Sequence, residues 1–108
     1  MPTETVWMCK IYVSILEYNY GATDFTNKVA TQEYSCMLWK NKTTQFTTRP
    51  LLVTEFSNGW ATGLFDLYMP VVSNKIAPYI TAKVIGKTAV VSATIQYTQS
   101  KFQRTPII

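Results

Sequence analysis

At 108 residues and 12.3 kDa, the chain has room for one domain, spanning 1–108, and for one core. Charged residues make up 15% against a hydrophobic 47%, and the net charge is +4; about a quarter charged is usual. There is no histidine, which excludes Ser-His and Cys-His nucleophile pairs and most zinc sites.

Threonine takes the place of the missing charge: 16 Thr stand beside 7 Tyr, 5 Phe and 3 Trp. β-Branched and aromatic side chains suit a pleated, half-buried surface, so the composition favours strands. Area scaling gives roughly 6,100 Å² exposed after folding, with about two-thirds of the unfolded surface buried. That is enough for a core without disulfides or metal.

The clearest predicted strand comes first. Trp7, Cys9, Ile11, Val13 and Ile15 alternate with Met8, Lys10, Tyr12 and Ser14, a period of two that puts an apolar row on one face. Residues 22–31 read either as a loop or as a short helix capped by Asp24, with Phe25 and Val29 at i, i+4. From about Gln32 to Lys40, Tyr34, Cys36 and Leu38 alternate with Ser35, Met37 and Trp39 as a second strand. Asn41-Lys42 then turns into a short, edge-like strand over 43–48, stopped by Arg49-Pro50.

Two hairpins are predicted beyond it. Asn58-Gly59 matches a type I′ turn, pairing Ser57 with Trp60 and Leu52 with Phe65. Gly86-Lys87 suits a type II′ turn, pairing Ile85 with Thr88 and Ile80 with Ala93. Pro70 to Pro78 reads as a connection that two prolines keep irregular. The fold expected is therefore all-β, a small antiparallel sandwich or barrel of about seven strands. An α+β sheet with one short helix near residues 24–33 is the fallback.

Chemistry is scarce. Glu4, Glu17, Asp24, Glu33, Glu55 and Asp66 are dispersed, four glycines form no phosphate loop, and two cysteines cannot make a four-ligand site. No enzyme activity, cofactor or metal is expected. The start carries no basic n-region, so no signal peptide is expected, and no apolar run approaches a membrane span. A cytoplasmic or virion-associated location follows, with Cys9 and Cys36 as free thiols. The sequon Asn41-Lys42-Thr43 is read as a turn.

All six acids lie at or before Asp66, whereas Lys75, Lys83, Lys87, Lys101 and Arg104 follow with no acid among them. That polarity makes Lys83, Lys87, Lys101, Phe102 and Arg104 candidate contacts for single-stranded nucleic acid, cations for phosphate and an aromatic for stacking. An acidic protein partner would be drawn to the same charge. Low charge points instead to a homo-oligomer, since a free monomer normally keeps a charged surface. Tyr12, Trp39 and Trp60 are the candidate self-association residues, and Pro106-Ile107-Ile108 is an apolar tip that would gain by docking. The leading expectation is a self-assembling subunit of the virion or coat type, with nucleic-acid binding as the alternative. A virus-encoded inhibitor of a host factor needs no motif and stands third.

Overall fold

The computed structural model describes residues 1–18, 25–83 and 88–102. Among them every regular element is a strand: β1 (Thr5–Tyr18), β2 (Phe25–Lys40), β3 (Gln45–Thr47), β4 (Leu51–Asn58), β5 (Phe65–Tyr68), β6 (Val71–Val72), β7 (Lys75–Ile76), β8 (Tyr79–Ala82) and β9 (Thr88–Lys101). All pairings are antiparallel. The protein is all-β, the class its composition favours.

The period-two pattern of β1 carries straight into burial. Cys9, Ile11, Val13 and Ile15 are 1–3% exposed, whereas Met8 and Tyr12 point to the other face at 70% and 37%. β2 lies beside it in unbroken register from Thr5↔Lys40 to Leu16↔Val29. The short helix near 24–33 does not form, because from Phe25 onward that stretch is the first half of β2. The strand wins because it gives each β1 residue up to Leu16 a neighbour across the ladder. Asp24 lies outside the described residues.

β3 pairs with the end of β2, and the turn before it is the one expected at Asn41. The Asn41 side-chain oxygen accepts the N–H groups of Thr43 and Thr44. β4 occupies the same edge of β2 further along, from Val29↔Asn58 to Ser35↔Leu51, with a register shift between Glu33 and Tyr34. The main sheet is thus four strands wide, with β3 and β4 sharing one margin and β9 forming the other.

Neither predicted hairpin has the expected partners. β4 pairs with β2 and β5 with β8, so Leu52 and Phe65 belong to different sheets. Gly59 and Gly63, at φ 81° and 80°, instead lead the chain through a wide turn into a second layer. Local turn chemistry is satisfied either way; burial decides, because a β4–β5 hairpin would leave the apolar row of β1 uncovered. Similarly β9 pairs with β1 in unbroken register, away from β8, and Gly86-Lys87 lies outside the described residues.

The stretch read as an irregular connection is the tip of the real hairpin. β5 with β8 and β6 with β7 share one continuous register, closed by Ser73 and Asn74 at φ 50° and 62°, which is type I′ geometry. Its prolines fit for a simple reason. Pro70 supplies only its carbonyl, to the Ala77 N–H at 2.9 Å, and Pro78 sits where an N–H would point away from the partner strand.

This hairpin lies over β1 and β2 and is held at both ends. At the tip, the Asn74 side chain accepts the Gln45 N–H at 3.0 Å and donates to the Thr43 carbonyl. At the base, Gln32 donates to the Phe65 carbonyl at 2.9 Å and to Glu55; Tyr34 Oη accepts the Leu67 N–H at 3.3 Å and donates to Gln32 at 2.8 Å. Side chains of β2 thus satisfy the edge of β5 that β8 does not. Phe65, Leu67 and Met69 are buried against Cys9, Ile11, Val13, Ile15, Ala30, Tyr34 and Leu38.

Candidate functional site

Among the described residues the second layer is two strands wide, and it stops short of β9. The core face of β1 continues across the ladder onto β9 through Ile15↔Val91, Val13↔Ala93, Ile11↔Ile95 and Cys9↔Tyr97. On β1 these residues are buried; on β9, Val91, Ile95 and Tyr97 stand at 47%, 49% and 51% exposure. Half of one apolar surface is core and half is open. Among the described residues β9 has a strand neighbour on one side only.

The opposite face of the sheet has no covering layer among the described residues. Met8, Tyr12, Met37, Phe46 and Phe56 are exposed there, the first four on β1, β2 and β3 and the last on β4. Tyr12 therefore lies on an open face, as its alternation requires. Trp39, half-buried, shares that face and stacks on Phe46 at 5.3 Å. Trp60 is different. It packs edge-on against Phe65 at 5.0 Å and belongs to the margin of the core, so the wide turn removes it from the candidate contact surface.

The basic candidates divide. Lys83 is exposed at the end of β8, and Lys101 and Phe102 are exposed at the far end of β9, with Phe102 N–H donating to the Glu4 carbonyl at 2.8 Å. β9 alone spans 14 residues, or about 43 Å at the rise of a strand. Lys83, five residues before β9, and Lys101 consequently do not share one compact patch. Lys87 and Arg104 lie outside the described residues, as does the 106–108 tip. A different cation joins Lys101: Thr5 is paired with Lys40 on one side and with Lys101 on the other. The two lysines are then about 10 Å apart across three strands. No signal in the linear sequence could have found that pair. Trp7 and Tyr97 stack nearby at 4.0 Å, and Trp7 Nε1 donates to Gln99 at 2.7 Å.

Cys9 and Cys36 face each other across β1 and β2 as free thiols. Burial pushes the Cys36 thiol up to about 12, with Cys9 adding to the effect. Burial also raises Cys9, partly offset by its contact with Cys36. Thiols held neutral this way are poor nucleophiles. Burial likewise raises Tyr34. All three shifts have one sign: folded values lie above unfolded ones, so their stabilisation is complete below the unfolded values and lost as pH rises toward the folded ones. Denaturant midpoints are expected to fall between about pH 9 and pH 11, and less steeply in Cys36→Ala. A flat profile over that range would contradict the assignment.

Among the described residues no group of three or more His, Cys, Asp or Glu is placed to hold a metal ion. No helix is long and apolar enough to cross a membrane. A hollow lined by Met8, Lys10, Ser35, Gln96 and Thr98 opens on the uncovered face. Comparison with family models, curated proteins and solved structures finds no match.

Proposed function

We propose that the protein is a non-enzymatic structural subunit that acts by packing with copies of itself, of the kind from which a virion or coat is built. The observation that carries this reading is apolar exposure on both faces and along one margin of a single sheet. A closed dimer needs one such surface; an extended assembly needs at least two. The exposed area of 7528 Å² exceeds the roughly 6,100 Å² of a compact chain this size by about 1,400 Å². The radius of gyration, 17.2 Å, compares with about 13 Å for a compact domain. With so little charge to keep such a surface in water, burial against copies is the stabilising route.

Light scattering at tens of micromolar tests it. A mass of at least two subunits is expected, with specific interfaces above about 1,000 Å². A strictly monomeric mass would overturn the proposal.

A second reading, single-stranded nucleic-acid binding, draws support from the Lys40–Thr5–Lys101 row and the exposed Phe102 beside it. Cations near an exposed aromatic suit phosphate contact with base stacking. Titration with a single-stranded oligonucleotide at two salt concentrations separates it from assembly alone.

A further inference from the structure

We infer that the outer edge of β9 is a strand-pairing interface for β9 of a second copy, joining two main sheets across a twofold axis. The inference rests on the assembly reading and names one contact within it. Three observations converge on this edge.

The first is the direction of its backbone groups. Phe102 N–H bonds to the Glu4 carbonyl, in step with the Thr5↔Lys101 register. In an antiparallel ladder, hydrogen-bonded positions alternate. Even-numbered residues of β9 therefore turn their N–H and C=O toward β1, and odd-numbered ones turn theirs outward. The outward set, Ala89 to Gln99, coincides with the open apolar row.

The second is the absence of any device against pairing. Natural edge strands are blunted by prolines, bulges or charges. The opposite margin of the sheet has all three: Arg49-Pro50 between β3 and β4, a register shift in β4, and the Glu55 carboxylate turned in toward Gln32 and the Gly63 N–H. β9 has none of them. Thr88 to Ser100 is thirteen residues without charge, proline or glycine, and its ladder with β1 has no break.

The third is self-complementarity. An uncharged strand does not repel its own copy. Centring the twofold on Thr94 pairs the whole uncharged stretch with itself. It sets Val91 opposite Tyr97 and Ala93 opposite Ile95 of the second copy, each twice by symmetry. Aromatic with β-branched and small with large are favourable cross-strand pairs, and about twelve backbone hydrogen bonds close the ladder.

Three variants test the edge. In this register Thr94 meets its own copy at a position without hydrogen bonds, where Cα atoms approach to about 4.5 Å, close enough for a disulfide. Thr94→Cys should form a reducible dimer on mild oxidation. Thr98→Cys, about 26 Å from its counterpart at strand spacing, should form no more than the parent protein with only Cys9 and Cys36. Ala93→Pro removes one outward N–H per strand and leaves the β1 ladder intact. It should weaken association by about tenfold or more with unchanged circular dichroism. If the parent protein assembles yet Thr94→Cys cross-links no better than Thr98→Cys, the β9 interface is wrong and assembly stands. If the parent protein is monomeric, both fall.

Discussion

Replacing Gln32 by leucine is expected to cost about 3–5 kcal/mol of stability, a large fraction of what a small domain has. Gln32 is 2% exposed, and one amide serves three partners. It donates to Glu55 and the Phe65 carbonyl and accepts from Tyr34. Leucine fits the volume but leaves those groups without partners, at about 1–3 kcal/mol for each buried one. The losses will not add fully, because the groups form one network. Tyr34→Phe should cost less, about 1–2 kcal/mol, since it frees only the Leu67 N–H and one Gln32 acceptor. Urea unfolding monitored by tryptophan fluorescence reads both values. A loss under about 1 kcal/mol for Gln32→Leu would mean that water reaches these groups and that the layers are held by apolar contact alone.

Gly59→Val is the second large effect, at about 2–4 kcal/mol. Gly59 has φ 81°, where a β-branched residue is a true outlier. It also lacks space: a Cβ there would lie 2.6 Å from Lys28 Cγ and 3.4 Å from Lys28 Cα. The stem of Lys28 would have to move, and its ammonium lies 3.9 Å from the buried Glu17 carboxylate. Gly63 supplies the control. Its φ is 80°, yet nothing lies within 4 Å of a Cβ built on it. Gly63→Ala should therefore show the conformational cost alone, about 1–2 kcal/mol, and Gly59→Ala should exceed it. Equal losses at the two sites would dismiss the Lys28 contact.

What could be read from residues alone was whatever depends on neighbours in sequence. The alternation of Trp7 to Ile15 named the buried face of β1 residue by residue, because a strand's side-chain period is two wherever the strand ends up. The Asn41 turn and the short β3 before Arg49-Pro50 were legible for the same reason, as was the all-β class. Residues 25–31 misled because Phe25 and Val29 fit a helical spacing, and only the 14-residue β1 waiting alongside turned them into strand.

Pairing was another matter. Asn58-Gly59 carries a hairpin signal, yet a turn dipeptide reports only that the chain can reverse. Which strand it then joins depends on which apolar row still needs cover. Here the row on β1 and β2 drew Phe65, Leu67 and Met69 into a second layer, and the true hairpin closed at Ser73-Asn74 between prolines that had argued against one. The candidate surface is a tertiary product for the same reason. Val91, Ile95 and Tyr97 have the alternation of a core strand. They are open because a layer two strands wide covers β1 and β2 and reaches no further, a matter of width that no local pattern records.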